Sequence, residues 1–172
     1  GNFDASLDFF QQALNVYRRL KDPINMAREL NSIGVIHGRT GQFSDAVLAH
    51  TEALELSRGQ GDRGETARGL RMLGVLYRNL DDEELGSKAL QEALSYVEER
   101  NVREAIVLHG ELSKSLTLLD RMAEAELHVV KAVELSKRSG SPPNRVNSFA
   151  RMAELRLAQG KVDEADTWTK QG

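Results

Sequence analysis

The 172-residue sequence has no cysteine, only three prolines and only 5% aromatic residues. Without cysteine, disulfide scaffolds, thiol enzymes and cysteine-ligated zinc sites are excluded. No apolar run approaches the ~18–20 residues that span a bilayer, and the acidic first residues show no signal or transit peptide. The net charge of −3 is too small to favour whole-chain binding to nucleic acid or anionic lipid. We therefore expect a cytoplasmic protein without a membrane or nucleic-acid partner.

The sequence does contain an internal repeat of about 40 residues. A turn residue, one spacer and a larger residue recur with the turn residue at Gly1, Gly41, Asp81, Asp120 and Gly160, in steps of 40, 40, 39 and 40. A small residue follows twelve positions later in the same register, at Ala13, Ala53, Ala93 and Ala132. Agreement between two independent markers indicates repeated supersecondary units rather than chance similarity.

Each period resolves into two amphipathic stretches with the 3.6-residue spacing of helices. Asp22-Pro23 and Ser141-Pro142 each combine a capping residue with proline at the first helical position. Asp62 and Asn101, each followed by glutamate three residues later, predict two further helix starts. No alternating β-branched run bounded by turns appears. The pattern predicts an all-α fold of about nine helices, with a half repeat at 1–22 and helix pairs at 23–62, 63–101, 102–141 and 142–172.

Glycines in the middle of the predicted helices need a packing reason, because each costs about 1 kcal/mol relative to alanine. Gly34 and Gly74 occupy the same place in consecutive periods, each after a large apolar residue. We expect both to mark close approaches between paired helices.

The sequence resembles the tetratricopeptide repeat, whose pattern has Leu-Gly and an aromatic in the first helix and Ala, an aromatic and Ala in the second. The matching positions are Leu30, Ile33-Gly34, His37, Gly41, Phe43, Ala46, His50 and Ala53, then Leu70, Leu73-Gly74, Tyr77, Asp81, Gly86, Leu90 and Ala93. The period is similar to the 40-residue subgroup of Leu-Gly-Asn repeat scaffolds, kinesin light chains and bacterial regulators. The resemblance implies one repeat domain over 1–172, built as a right-handed α-solenoid of antiparallel helix pairs. Because the pattern opens on a lone second helix, we expect the sequence to belong to a longer protein.

No catalytic, metal-binding or cofactor-binding motif accompanies the repeat. His37, His50 and His109 occupy large-residue positions, where packing explains them, and we expect His128 at the surface. No HExxH motif, phosphate-binding loop or nucleophile elbow is present. We predict that the protein is not an enzyme and needs no cofactor or metal.

The strongest functional signal is an excess of arginine in the first helices of the first two full periods. The resemblance implies that first helices line a concave wall, where arginine can bind a carboxylate or phosphate through two parallel hydrogen bonds. The candidate peptide-binding residues are Arg28, Asn31, Arg39, Arg68, Arg71, Met72, Val75, Arg78, Asn79, Lys114 and Arg151. We predict a module that binds an acidic peptide or helix; the competing interpretation is that several arginines pair with neighbouring acids such as Glu111.

Two other functions remain open from sequence. One is a regulatory or sensor array within a multidomain bacterial signalling or transcription protein. The other is an RNA-binding helical repeat, which the net charge of −3 and the lack of a regular basic groove disfavour. We also expect exposed apolar surface on the terminal helices, which predicts a homo-oligomer or a longer array.

Overall fold

The computed structural model describes residues 2–97 and 100–171. Over these residues the chain forms nine helices and no strand, so the predicted all-α fold is confirmed. The helices are α1 (Phe3–Leu20), α2 (Pro23–Arg39), α3 (Phe43–Gly59), α4 (Arg63–Asn79), α5 (Glu83–Tyr96), α6 (Val102–Leu118), α7 (Met122–Ser139), α8 (Pro142–Ala158) and α9 (Val162–Gln171). The turn marker Gly1 lies outside the described residues. None of the described helices has a stretch long and apolar enough to cross a membrane.

Side-chain caps explain where three of the first helices begin. Asp22 accepts a hydrogen bond from the Asn25 amide at 3.1 Å, and Asp62 accepts one from the Glu65 amide at 3.0 Å. Asn101 caps α6 in the same way. These bonds satisfy amides that have no partner within the helix.

Ser141 does not make the side-chain cap that the sequence predicts for α8. Prolines occupy the first two helical positions, 142 and 143, and neither carries an N–H. Fewer amides therefore need a partner at this helix start, and α8 begins at Pro142 without the serine hydroxyl.

The repeated turn residues adopt the left-handed conformation that ends a helix. Gly41 and Gly160 have φ values of 79° and 76°, and Asp81 and Asp120 have values of 60° and 57°. Glycine and aspartate tolerate this conformation better than β-branched or bulky residues do. The repeat spacing seen in the sequence is thus the spacing of helix-terminating turns.

The chain divides into two compact units: unit 1 over 1–82, with α1–α4, and unit 2 over 83–172, with α5–α9. In each unit, helices adjacent in sequence pack together, and the first helices of successive pairs also touch: α2 with α4, and α6 with α8. The boundary falls inside the predicted repeat 63–101. A single domain over 1–172 therefore stays a prediction.

Each unit has its own apolar core. In unit 1 the core is formed by Leu14, Ala27, Leu30, Ile33, Ala49 and Ala53. In unit 2 it is formed by Leu116, Ala125, Val129, Val133, Phe149, Met152 and Leu155, with Met122 and Trp168 packed against it. The prediction for Gly34 is confirmed, because the imidazole of His50 on α3 lies close against it.

Candidate functional site

Nine of the eleven predicted peptide-binding residues lie on α2 and α4, two helices of unit 1 that pack together. On α2 they are Arg28, Asn31 and Arg39, and on α4 they are Arg68, Arg71, Met72, Val75, Arg78 and Asn79. Steps of three and four residues place the members of each set along one side of their helix. We call the surface formed by these residues, without Asn31, the first-helix face of unit 1.

The side chains of this face differ in their access to a ligand. Arg28, Arg39 and Asn79 are exposed. Arg68, Arg71, Met72, Val75 and Arg78 are half-buried, so part of each remains at the surface. The face therefore combines accessible guanidinium groups with two apolar side chains.

Asn31 is a correction to the predicted site, because its side chain is completely buried and cannot touch a ligand. Its Oδ1 accepts a hydrogen bond from His50 Nδ1 at 2.8 Å, and its Nδ2 donates to Glu65 Oε2 at 3.0 Å. The resemblance to the tetratricopeptide repeat had implied a wall position for Asn31. The packing of α3 and α4 against α2 covers it instead.

The Asn31 amide holds Glu65 at the junction of α2 and α4. The Glu65 side chain is only 15% exposed, and its Oε1 lies 3.7 Å from Arg68 Nη1. This separation gives a loose ion pair, so Arg68 keeps much of its surface accessible. The Glu65 carboxylate is thus largely buried, whereas the Arg68 side chain is 43% exposed. No sequence signal pointed to this link, since Asn31 and Glu65 are far apart along the chain.

The charges of Arg68 and Arg71 reach the buried imidazole of His50. Burial, followed by the positive charges of Arg68 and Arg71, lowers the pKa of His50 to about 4. His50 is consequently neutral at neutral pH. On α2, burial raises the pKa of the Glu29 carboxyl above its ordinary value.

Arg28 lies in the second turn of α2, and Arg39 is the last residue of this helix. Arg28 Nη1 donates a 3.1 Å hydrogen bond to the side-chain oxygen of Asn25, a neutral group that does not balance the guanidinium charge. Arg39 is exposed in the last turn of the helix. Together with the arginines of α4, they make unit 1 the basic part of the predicted site.

The other two candidates, Lys114 and Arg151, lie on α6 and α8 of unit 2. Arg151 donates to Glu111 at 3.0 Å and to Glu154 at 2.8 Å. Two carboxylates therefore already balance its charge, as the competing interpretation held for Glu111. Arg151 is thus held within an acidic setting rather than presented to an acidic ligand.

A cleft of about 370 Å³ lies between α6 and α8, with Gly110, Asn144, Asn147 and the Arg151 cluster in its walls. Lys114 borders a smaller cleft of about 170 Å³ with Thr117 and Leu118. The larger cleft has two carboxylates, from Glu111 and Glu154, in addition to the two asparagine amides. The sequence-based prediction included Arg151 and named Glu111 as a neighbouring acid, but it missed the two asparagines at the start of α8.

The histidines have structural surroundings. His109 Nδ1 and His128 Nδ1 are 2.9 Å apart, and burial, followed by the charges of His128 and Lys131, lowers the pKa of His109 to about 4. His128 is half-buried, which corrects the predicted surface position, because its ring packs on that of His109 with centroids 5.1 Å apart. In the described part of the chain, no group of three or more His, Asp or Glu residues is arranged to hold a metal ion.

The terminal helices expose apolar side chains. Phe9 and Leu20 on α1 are both 67% exposed, and Val162 on α9 is 63% exposed. Self-association through these helices stays a prediction.

No protein-family model and no curated protein matches this sequence. Solved structures do match. BtubC (BKLC) from P. vanneervenii is 16% identical, with 98% of this chain and 71% of that chain covered and a TM-score of 0.79. The apo form of RapI is 14% identical over 98% of this chain and 74% of that one, with a TM-score of 0.77. A putative kinesin light chain from Podosopora anserina with nearly identical TPR-like repeats is 13% identical over 99% and 85%, with a TM-score of 0.75.

Proposed function

Because the chain has a tetratricopeptide-like helical-repeat fold, we propose that it is a non-catalytic protein-interaction module. In this proposal the first-helix face of unit 1 binds an acidic peptide or helix of a partner protein. The observation that carries it is the partial exposure of Arg68 and Arg71 on one side of α4, while Glu65, the carboxylate paired with Arg68, is hydrogen-bonded to Asn31 and only 15% exposed.

The chemistry of the face specifies the ligand further. A guanidinium group binds a carboxylate through two parallel hydrogen bonds, which gives both energy and orientation. Met72 and Val75 lie on the same side of α4 and are only half-buried, so they offer apolar contact beside the arginines. The proposed ligand therefore has acidic side chains next to an apolar residue.

The binding energy rests on unit 1 rather than on all eleven predicted residues. Arg151 is engaged by Glu111 and Glu154, and a ligand carboxylate would have to displace one of them. Breaking such a pair has a desolvation cost that offsets the gain from the new contact. We therefore assign the acidic part of the ligand to unit 1.

The experiment uses the variant Arg68→Glu/Arg71→Glu and a fluorescein-labelled peptide that alternates glutamate with leucine. Hydrogen bonds to charged groups contribute about 1.5–3 kcal/mol each, so the variant should lose about tenfold or more in affinity by fluorescence anisotropy. Raising the salt concentration should weaken wild-type binding, because the groups are partly exposed.

The matched control is Lys161→Glu/Lys170→Glu, which makes the same change in net charge in unit 2. Circular dichroism of both variants should match wild-type helicity, since all four positions retain some exposure. Equal affinities for wild type and the Arg68/Arg71 variant would refute the assigned face. Equal losses of affinity in both variants would show that binding depends on the net charge of the protein and not on this face.

A further inference from the structure

Unit 1 contains an open groove, built from α1, α2 and α3 rather than from the first-helix face. Its volume is about 640 Å³. Its base is apolar, since Leu14, Leu30, Ile33 and Ala49 all line it and are all buried. Above this base, α1 and α3 form the walls, with Gln11 and Arg18 on one side.

The α3 wall carries a stripe of one apolar and three acidic residues. Asp45, Leu48, Glu52 and Glu55 follow one another at steps of three, four and three residues, which keeps them on one side of the helix. Leu48 lies at the edge of the groove and is 68% exposed. A ligand seated in the groove would cover it.

The charges on this wall are only partly compensated. Arg18 Nη2 donates to Glu52 Oε1 at 3.2 Å across the groove. Asp45 and Glu55, on either side of that pair, have no ion-pair partner in the ranges that the structure describes. The groove-lining histidine, His37, is hydrogen-bonded to Gln42 at 2.6 Å. The rim is therefore acidic at both ends of an apolar trough.

We propose that this groove docks a basic amphipathic helix of a partner protein. The partner's apolar ridge would lie on Leu48 and the buried base, and two basic side chains would pair with Asp45 and Glu55. These two carboxylates are ten residues apart on α3, a distance of about 15 Å along a helix axis. A helix lying along α3 would thus carry its basic residues about ten positions apart. Helices commonly bind to such grooves through one apolar face.

The probe is a fluorescein-labelled helical peptide of about 16 residues, long enough for appreciable helicity in an alanine-rich sequence. It carries a leucine ridge and two lysines about ten positions apart, and a second peptide has glutamate in place of both lysines. Wild-type protein should bind the lysine peptide at least about tenfold more tightly than the glutamate peptide. Leu48→Glu should weaken binding of the lysine peptide, because it removes the apolar contact.

The decisive variant is Asp45→Lys/Glu55→Lys, which should reverse the preference and favour the glutamate peptide. Its matched control is Asp163→Lys/Glu134→Lys in unit 2: Asp45 and Asp163 both lie in the first turn of a helix, and Glu55 and Glu134 are both exposed. The control should keep the wild-type preference. An unchanged preference in the groove variant, or the same reversal in the control, overturns the proposal.

This proposal stands apart from the acidic-peptide function, because Arg68→Glu/Arg71→Glu should leave the lysine-peptide preference unchanged. Sedimentation of wild type and Leu48→Glu tests whether a second copy of the chain occupies the groove instead. A dimer that Leu48→Glu dissociates would assign the groove to a second copy of the chain and overturn the proposed partner helix.

Discussion

The imidazole of His50 occupies the space that a side chain at Gly34 would need. A Cβ atom at position 34 would lie 2.6 Å from His50 Nε2, far inside van der Waals contact. His50 cannot simply move away, because its other ring nitrogen, Nδ1, is hydrogen-bonded to Asn31. The close approach of α2 and α3 thus links Gly34, through His50, to Asn31, which holds Glu65 in place.

We expect Gly34→Ala to destabilise the protein despite alanine's better helix propensity. Overpacking typically costs about 1–3 kcal/mol, which exceeds the gain of about 1 kcal/mol from replacing a helical glycine. Gly59→Ala is the matched control, since nothing lies within 4 Å of a Cβ there. Urea denaturation should show a loss of stability for Gly34→Ala and a small gain for Gly59→Ala; equal changes would mean that His50 yields without cost.

Acidification should weaken the fold through His50. Its pKa is lowered to about 4 in the folded protein from an ordinary value of 6.5, so between these values the unfolded chain binds the proton more strongly. The stabilisation that comes from keeping His50 neutral is therefore fully present above the pKa of the unfolded chain, and it is lost as the pH falls toward the folded pKa of about 4. At 1.36 kcal/mol per pKa unit, the loss from pH 7.5 to about pH 5 is about 2 kcal/mol.

This pH effect can be measured by urea denaturation across that range, where His50→Gln should show a shallower dependence than wild type. An NMR titration of the His50 ring provides the direct check. An imidazole that titrates near its ordinary value would contradict the proposed source of the pH dependence.

Leu73→Ala tests the packing register of α4. Leu73 is buried, and truncating a buried leucine typically costs about 2–5 kcal/mol. Leu48→Ala removes the same atoms from an exposed side chain and should change stability by about 0.5 kcal/mol or less. Similar losses of stability at both positions would contradict the buried position of Leu73.

Phe149→Ala should disturb the chain's single tryptophan. The rings of Phe149 and Trp168 meet edge to face with centroids 5.2 Å apart, joining α8 to α9. Removing the phenylalanine ring should cost about 3–5 kcal/mol and shift the Trp168 emission to longer wavelength as water reaches the indole. Phe9→Ala, which alters an exposed ring in unit 1, should leave the emission unchanged.

Helix boundaries were predictable because their causes are local. The caps Asp22, Asp62 and Asn101 each act on an amide three residues away, and the turn residues Asp81 and Asp120 act through their own backbone angles. Interactions of this range are visible in a sequence window of a few residues. The helix pairs therefore began where the pattern predicted.

The candidate site was only partly predictable, because helical spacing identifies a side of a helix but not what covers it. Asn31 lies at a wall position, yet His50 and Glu65 enclose its amide. Arg151 looks like a cationic anchor in sequence, yet Glu111, 40 residues earlier, holds its guanidinium. Both contacts depend on helices that are distant in sequence but packed together in space.

Hydrophobic periodicity and short-range hydrogen bonds were enough to predict the helix pairs and the turns that separate them, because both act within a short stretch of sequence. Which charged groups remain available to a ligand depends instead on how the helices pack. Glu65 is drawn into a helix junction beside Arg68, while Asp45 and Glu55 stay without an ion-pair partner at the rim of a groove in the part of the chain that the structure describes. The availability of a charged side chain depends on its desolvation and on its ion-pair partners. Both are determined by the packing of helices that are distant in sequence.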